Sequence, residues 1–237
     1  MAKRPSIDCN SCDSKELGVF CDLNQNELSE ISMHKVTNHY KKGQTLFFQG
    51  NPAFGLYCIS TGKIKVTKVA PDGKESIVRL AKDGDILGHR SLFTEEFYQA
   101  TATALEDCTI CFLDKKFILK AITDKPAISF NIIQKLSQDM GAAETKVASM
   151  YQKNVRERLA ELLLMLKETF GERDENNSWK LEIKLTREEM ASMIGVANET
   201  LIRFLSEFRE DGFIQQKGKT IYIVDEESLI NYSNAAY

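Results

Sequence analysis

The chain has 237 residues, of which 43% are hydrophobic and 27% are charged, and its formal net charge is −3. This length predicts two domains and a connector, and the composition is that of a globular protein able to bury real cores. No apolar run is long enough to span a bilayer, and the N-terminus lacks the apolar segment of a signal peptide. We therefore expect no membrane partner and a reducing cytoplasm, where the six cysteines are thiols or metal ligands rather than disulfides.

Residues 1–22 are predicted to be a cysteine-containing N-terminal arm. Its cysteines follow the spacing C-x2-C-x8-C, at Cys9, Cys12 and Cys21. From Leu23 to Val36 the pattern predicts a helix, because Asn24 is a suitable N-cap and Glu27 stands where it completes a capping box.

Residues 23–125 are predicted to form a sensory β-roll. Short segments rich in β-branched and aromatic residues alternate with glycine turns, and many short strands at even spacing are typical of a jelly roll or barrel. A short helix from Lys115 to Thr123 follows them. The predicted strands are Thr45–Phe48, Gly55–Ile59, Lys63–Val69, Ser76–Leu80, Ala100–Leu105 and Thr109–Leu113.

A long helix that begins at Pro126 is predicted over residues 126–152. Apolar residues recur along it at alternating steps of three and four, which is the pattern of a two-stranded coiled coil. These positions are Ile133, Leu136, Met140, Ala143, Val147 and Met150. We expect the helix to join two copies of the chain, and the alternative is that this side packs on its own β-roll.

Residues 153–237 are predicted to form a winged helix-turn-helix. A helix covers 155–170, and a polar loop follows at 171–178. Apolar and polar residues then alternate over 179–185, which predicts a strand with one buried face. Near the end of the chain, a hairpin over 213–224 provides the wing.

The helix-turn-helix lies between that strand and the wing. Thr186 and Glu189 predict a capping box for a first helix, Arg187–Ile194, and Gly195 is suited to end it. The second helix, Asn198–Glu210, begins only three residues later. In this motif the second helix enters the major groove and reads the bases.

The outward face of the second helix carries the candidate DNA contacts. Glu199 and Arg203 are four residues apart and point the same way. Arginine donates two hydrogen bonds to guanine, and glutamate accepts one from the cytosine amino group. An i,i+4 salt bridge is the alternative for such a pair taken alone, but the motif around it favours base contact. The further candidates are Asn198, Thr200, Ile202 and Lys219.

The charge of the DNA-binding half argues against strong non-specific attraction to DNA. From Lys153 onward the sequence has 12 Lys and Arg against 16 Asp and Glu. Phosphate attraction must then come from local clusters and helix N-termini. The sequence therefore predicts strongly salt-sensitive binding.

The segment Gly-Val-Ala-Asn-Glu-Thr-Leu-Ile-Arg at 195–203, with the Lys-Gly-Lys hairpin at 217–219, resembles the DNA-binding domain of the Crp/Fnr family of bacterial transcription regulators. The turns Lys42-Gly43-Gln44, Ser60-Thr61-Gly62 and Asp83-Gly84-Asp85 resemble the β-roll of the same family. The resemblance implies an α+β fold with an N-terminal β-roll like a cyclic-nucleotide-binding domain, a dimerisation helix and a winged helix-turn-helix.

The same resemblance implies what the chain does and with which partners. It implies an effector-controlled homodimer that binds double-stranded promoter DNA and contacts RNA polymerase. The positions of Glu199 and Arg203 match residues that read a TGA-type half-site. Two positions depart from the family: Ala197 replaces a usual Ser or Thr, and Ile202 replaces the Ser of the Fnr branch, where it is suited to contact a thymine methyl.

The resemblance also bears on cyclic AMP. In members that bind cyclic nucleotides, a Gly-Glu turn and an Arg-Ser pair hold the ribose and the cyclic phosphate. Here His89 replaces the Glu, and Gln99-Ala100 replaces the Arg-Ser pair, so binding of cyclic AMP in the usual manner is not expected. Arg90 is suited to hold another anion, and the alternative is a surface or dimer-contact arginine.

Members of the Fnr branch hold an oxygen-sensitive [4Fe–4S] cluster with three N-terminal cysteines and one in the β-roll. The stretch Ala104–Cys111 places Cys111 on the β-roll position, and the resemblance then gives Cys9, Cys12 and Cys21 as the other ligands. Two alternatives stay open: a structural Zn²⁺ ion, or cysteines without a metal, of which Cys58 and Cys111 would be small buried apolar residues.

Two other functions compete with DNA recognition. One is a ligand-binding module that uses its helix-turn-helix for protein contact. The other is an enzyme, which we do not expect because no nucleophile, base and carboxylate set, carboxylate pair or phosphate-binding glycine loop occurs at useful spacing.

Overall fold

The structure, a computed structural model, describes residues 8–234. It divides into two units, one ending at Met140 and the other beginning at Gly141, so the division falls inside the longest helix. Both units bury apolar side chains. Within the described range, no helix has the length and apolar character that crossing a membrane would require.

The N-terminal unit begins with the cysteine-containing arm and helix α1, Gln25–His34. The predicted capping box is confirmed, since the Asn24 side chain accepts from the Glu27 amide and the Glu27 carboxylate accepts from the Asn24 amide. The prediction placed the helix end too late, because Val36 already belongs to a strand. The arm itself forms two 3₁₀ turns, Cys9–Ser11 and Lys15–Leu17.

Two four-stranded antiparallel sheets form the β-roll. Their strands are β1 Val36–Tyr40, β2 Thr45–Phe47, β3 Gly55–Thr61, β4 Ile64–Val69, β5 Glu75–Ala81, β6 Ile86–Leu87, β7 Thr101–Ala104 and β8 Cys108–Asp114. The strand orders are β1-β8-β3-β6 in one sheet and β2-β7-β4-β5 in the other. The six predicted strands are present. The sequence did not predict β1, which is largely polar, or β6, which has two residues.

Strand β3 lies between two parts of the apolar core. Tyr57 and Ile59 contribute to the core between the two sheets, whereas Leu56 and Cys58 face a second core beneath the helices. This alternation follows from the two-residue period of a strand. Both faces of the β1-β8-β3-β6 sheet are therefore covered.

Three helices complete this unit: α2 His89–Thr94, α3 Lys115–Asp124 and α4 Pro126–Gln152. Helix α2 was not predicted, because it is short and begins after Gly88 without a side-chain cap. Gly88 has φ of 83°, a left-handed conformation that glycine adopts at little cost. Helix α4 continues past Met140 into the second unit.

The C-terminal unit contains four further helices and a four-stranded sheet. The bounds are α5 Val155–Phe170, β9 Gly171–Arg173, β10 Trp179–Leu181, α6 Arg187–Ile194, α7 Asn198–Glu210, β11 Ile214–Lys217, β12 Thr220–Ile223 and α8 Glu226–Asn234. The strand order in the sheet is β11-β12-β10-β9. The predicted bounds of α5, α6 and α7 are confirmed. Helix α8 was not predicted.

Two predictions for this unit were wrong in detail. The loop predicted at 171–178 contains strand β9, which pairs with β10 through a turn where Asn177 has φ of 63°. Asparagine tolerates this conformation better than most residues. The strand predicted over 179–185 ends at Leu181, although Ile183 stays buried and keeps the predicted alternation.

Candidate nucleic-acid interface and sensory site

Helix α6 and its turn fix where α7 begins. The Glu189 amide donates to the Thr186 hydroxyl at 3.1 Å, and the Thr186 amide donates to the Glu189 carboxylate at 2.7 Å, so the predicted capping box is confirmed. Gly195 ends the helix with φ of 71°. A residue with a Cβ would be strained there, so this glycine permits the sharp turn into α7.

Helix α7 is divided into a buried and an exposed side. Its buried residues are Leu201, Phe204, Leu205 and Phe208. On the other side, the Arg203 side chain is 66% exposed and Ile202 is 46% exposed, and Glu199 is exposed as well. The predicted reading residues therefore share the solvent-facing surface of the helix.

Arg203 is held loosely by its own helix. Its Nε lies 3.9 Å from the Glu207 carboxylate, and its guanidinium lies 4.8 Å from the centroid of the Phe204 ring. Glu207 also pairs closely with Arg156. Among residues 8–234, no ion pair joins Arg203 to Glu199.

The first turn of α7 lacks a side-chain cap. Ala197 occupies the N-cap position and offers no oxygen, so the first amides keep their hydrogen-bonding capacity. The neighbouring Asn198 is half-buried, and its Oδ1 has no hydrogen-bond partner among residues 8–234. Thr200 is half-buried on the same turn. Free amides at a helix N-terminus favour anions such as phosphate.

The wing is a tight hairpin of strands β11 and β12. Lys217 pairs with Thr220, so Gly218 and Lys219 form a two-residue turn. Gly218 has φ of 62° at the first central position, as a type II′ turn requires. The turn leaves Lys219 exposed, and the Lys217 ammonium lies 5.0 Å from the centroid of the Tyr222 ring.

The apolar seam predicted on α4 is largely open to solvent in the single chain. Ile133 is 59% exposed, Met140 61%, Val147 57% and Met150 36%, and Ala143 is exposed too. Leu136 differs, because it is half-buried against the core of its own β-roll.

The alternative for this seam was that it packs on the β-roll. In the structure, a different face of α4 packs there. Ile128 is fully buried and Ile132 is 4% exposed, and both belong to the core beneath the helices. The helix thus has one apolar face that its own unit covers and a second apolar face that its own chain leaves exposed.

A charged cluster lies where the resemblance places the ribose-binding Glu. His89 is 2% exposed, and its Nε2 lies 3.5 Å from Asp139 Oδ2 on α4, without a hydrogen bond to either ring nitrogen among the described residues. Arg79 Nη1 donates to Asp139 at 2.8 Å and its Nη2 to Asp85 at 3.1 Å. Lys135 Nζ lies 2.7 Å from Asp85 Oδ1 and 3.4 Å from Asp139 Oδ1.

This cluster controls the ionisation of Asp139. Burial raises the pKa of that carboxyl, but the adjacent His89 and the charges of Arg79 and Lys135 outweigh burial, so the net pKa lies below the ordinary value of 3.8. His89 is the member of this cluster that the sequence pattern pointed to, and the other members were not predicted. A Lys135–Asp139 pair four residues apart was the only sequence signal for them. Arg90 is exposed, outside this cluster.

Three of the four cysteines that the resemblance to Fnr selects lie together, and the fourth lies apart from them. Cys9, Cys12 and Cys111 line one cavity of about 60 Å³, whereas Cys21 is exposed and lies 3.5 Å from Asn131 Nδ2. Cys58, which was predicted only as a small buried apolar residue, lines the same cavity. Among residues 8–234, no three Cys, His, Asp or Glu side chains already stand in a metal-binding arrangement.

Lys35 also lines this cavity and is 9% exposed. Burial disfavours its ammonium, but the interactions with Cys111 and Cys9 outweigh burial and raise the pKa of Lys35. Burial likewise raises the pKa of the Cys58 and Cys111 thiols. No pattern in the sequence pointed to this lysine.

These features together define a class of protein. A winged helix-turn-helix whose second helix has an exposed side is a DNA-reading motif of transcription regulators, and here it follows a β-roll and a long helix. Residues 37–125 match a family model described as a cyclic nucleotide-binding domain, and residues 157–232 match one described as a Crp-like helix-turn-helix domain. The two matches together span more than half of the chain, which belongs to the Crp/Fnr family of transcription regulators.

Two named relatives and one solved structure show what this chain resembles. The chain is 28% identical to the CRP-like cAMP-activated global transcriptional regulator of Mycobacterium tuberculosis, over 90% of this chain and 94% of the relative. It is 25% identical to the fumarate and nitrate reduction regulatory protein of Vibrio cholerae, over 98% of this chain and 92% of the relative. The fold resembles FixK2 from Bradyrhizobium japonicum, with a TM-score of 0.75 at 20% identity, covering 86% and 99% of the two chains.

Proposed function

We propose that this regulator binds promoter DNA as a homodimer and reads a palindromic site with TGA-like half-sites. The observation that carries the proposal is the exposure of Glu199 and Arg203 on the solvent-facing side of α7, whose other side is buried. Two recognition helices related by a two-fold axis fit half-sites about one helical turn apart.

Each exposed side chain of α7 has a role suited to its chemistry. Arg203 donates twice to guanine O6 and N7, Glu199 accepts from a cytosine amino group, and Ile202 contacts a thymine methyl. Asn198, Thr200 and Lys219 bind phosphate or base edges around them. Phosphate contacts of this kind position the protein without carrying sequence information.

Pairing of two copies through α4 is supported by its second apolar face. Exposed apolar side chains at the coiled-coil positions Ile133, Met140, Ala143, Val147 and Met150 are suited to knobs-into-holes packing with an identical helix. Leu136 contributes less, because its own β-roll already covers part of it.

The β-roll supplies the control of DNA binding, and we propose that its effector is not cyclic AMP. The position of the ribose-binding carboxylate is taken by His89, a buried side chain beside Asp139. A nucleotide would have to displace the ion pairs that Asp139 makes with Arg79 and Lys135. Control through the cysteine cavity is the alternative, with an iron–sulfur cluster as the redox-responsive form that the Fnr branch suggests.

The remaining partners follow from the DNA target. We propose that the promoter-bound dimer contacts RNA polymerase and that the chain works in the cytoplasm. The relatives are named as transcription regulators, and we propose that the chain catalyses no reaction of its own.

Fluorescence anisotropy with a labelled duplex tests the proposal. The duplex carries two inverted TGA-like half-sites, and matched duplexes carry scrambled half-sites or a spacing changed by half a helical turn. We expect tight binding to the first duplex only, with a steep loss of affinity as salt rises. Equal affinity for all three duplexes would contradict the proposal, and no binding at low salt would favour a helix-turn-helix that contacts protein.

A further inference from the structure

The cysteines that share one cavity are not the set that the resemblance to Fnr selects. Cys9, Cys12, Cys58 and Cys111 line a cavity of about 60 Å³ beneath the arm, and Cys21 lies outside it. We infer that these four form a thiolate metal site, with Cys58 as the fourth ligand in place of Cys21.

The four thiols approach the cavity as two pairs. Cys9 and Cys12 are separated by two residues across a 3₁₀ turn, and C-x2-C is the spacing of a chelating knuckle in structural zinc sites. Cys58 on β3 and Cys111 on β8 are directly opposite each other in the antiparallel ladder, so their side chains emerge on the same face of the sheet.

Specific contacts hold the arm over that face. The Cys9 amide donates to Ser32 Oγ at 2.7 Å, and Ser14 Oγ donates to the Ser60 carbonyl at 2.6 Å. Cys12 Sγ lies 3.4 Å from Ser60 Oγ. These bonds attach the knuckle to α1 and to β3, the strand that also carries Cys58. The arm is therefore docked where its two thiols face the two thiols of the sheet.

Lys35 is the second observation that points to a metal. It lines the same cavity and is 9% exposed, yet it forms no ion pair with a carboxylate of residues 8–234. A buried ammonium needs negative partners, and the side chains in the lining of this cavity that can become anionic are the thiols of Cys9, Cys12, Cys58 and Cys111. A metal bound by four thiolates carries net negative charge, which an adjacent ammonium offsets.

The chemistry of this ligand set is specific. Four thiolates select soft metals, and the two common occupants are a tetrahedral Zn²⁺ ion and an iron–sulfur cluster. The thiols must turn further inward on binding, because the described side chains do not already stand at metal distances. Each Cys loses its proton to solvent when it binds the metal.

Only the role of the metal in regulation rests on the proposed function. Metal binding itself is tested separately, because metal content is measured on the isolated protein. The full-length chain is purified without oxygen from cells supplied with iron and zinc. Zinc, iron and acid-labile sulfide are then quantified for the wild type, Cys58→Ser and Cys21→Ser. We expect the wild type and Cys21→Ser to carry the same metal, and Cys58→Ser to lose it. Zinc without iron identifies the occupant as a Zn²⁺ ion, and iron together with acid-labile sulfide identifies it as an iron–sulfur cluster.

Alkylation of the wild type tests the same site without a substitution. Each thiol is labelled with N-ethylmaleimide before and after metal removal by a chelator, and the labelled sites are read by peptide mass spectrometry. We expect Cys9 and Cys12 to become reactive only after metal removal. Cys21 is expected to react equally in both states. This readout stands even if Cys58→Ser does not fold.

The role of Lys35 is tested by titrating the metal-free protein with Co²⁺, whose visible bands report tetrahedral thiolate ligation. Groups that support metal ligands contribute about 10- to 100-fold to affinity, and we expect this loss in Lys35→Met with partial rescue in Lys35→Arg. A wild type that is free of metal after anaerobic purification would overturn the inference. Equal loss of metal in Cys21→Ser and Cys58→Ser would also overturn it, and DNA binding could still hold in either case.

Discussion

Arg203 Nε lies 3.9 Å from Glu207, one turn further along α7, and not against Glu199 one turn before it. Glu207 is already engaged by Arg156. The contact at 3.9 Å is long and the Arg203 side chain is 66% exposed, so such a pair stabilises the helix very little. The guanidinium can therefore leave Glu207 for a base edge at small cost. No ion pair within residues 8–234 engages the Glu199 carboxylate, which lies on the same exposed side of the helix.

Replacing Arg203 by Ala is expected to weaken binding to a TGA-like palindrome by about 1–3 kcal/mol and to relax specificity at the guanine position. The physical reason is the loss of a two-hydrogen-bond contact to guanine O6 and N7. Anisotropy titrations against matched and base-substituted duplexes measure both effects. Arg209→Ala is the matched control, since it removes an exposed arginine from the last turn of α7.

The control is expected to keep wild-type discrimination among duplexes and to change only the general affinity. If Arg203→Ala discriminates the matched from the substituted duplex as well as the wild type does, Arg203 does not read that base.

Replacing Ala197 by Thr is expected to stabilise the C-terminal unit by about 0.5–2 kcal/mol. Ala197 has φ of −70° and ψ of 151°, the extended geometry of an N-cap, but no side-chain oxygen to accept from the first amides of α7. The urea midpoint of unfolding measures the gain. Val196→Thr introduces the same hydroxyl one residue outside the cap and is expected to give none. Equal urea midpoints for the two variants would show that the missing side-chain cap does not lower the stability of the C-terminal unit.

The sequence was a good guide wherever a local rule decides the structure. The capping boxes at Asn24 and Thr186 and the glycine stop at Gly195 were predicted, because each depends on a few neighbouring residues. The amphipathic face of α7 was predicted for the same reason, since its apolar spacing has the period of a helix.

The sequence failed where distant segments decide. Arg79 and Asp85 meet Asp139 and Lys135 only because the β-roll and α4 fold together, and no spacing in the sequence shows more than the Lys135–Asp139 pair. Cys58 looked apolar within its strand, and its position opposite Cys111 is set by strand register. Short elements such as β6 and α2 have too few residues for a periodic signal.

Asp139 is expected to make the stability of the N-terminal unit depend on acid pH. Its folded-state pKa lies below the ordinary 3.8, so its contribution is present above that value and is lost as the pH falls through the lower folded-state pKa. Asp139→Asn removes the acceptor of Arg79 and the partner of Lys135. We expect a loss of about 1–3 kcal/mol at neutral pH and a flatter decline in acid.

The measurement is the urea midpoint of the wild type and the variant across the acid range. Asp124→Asn, which removes an exposed carboxylate from the end of α3, is expected to leave the pH profile unchanged. A variant whose profile declines in acid as steeply as that of the wild type would show that Asp139 is not the titrating group.

Met140→Glu is expected to separate the dimer. Met140 is 61% exposed at a central position of the apolar seam on α4, and a two-fold axis would bring the two introduced carboxylates close together. Like charges facing each other cost several kcal/mol, so the dissociation constant of the dimer should rise more than about 100-fold. Sedimentation velocity measures this dissociation constant. Gln138→Glu is the control, because it introduces the same charge on the exposed side of the helix away from the seam.

Because recognition of a palindrome needs two reading helices, Met140→Glu should also lose specific DNA binding, while Gln138→Glu should keep it. A Met140→Glu protein that remains dimeric would place the interface between the two copies elsewhere on the chain.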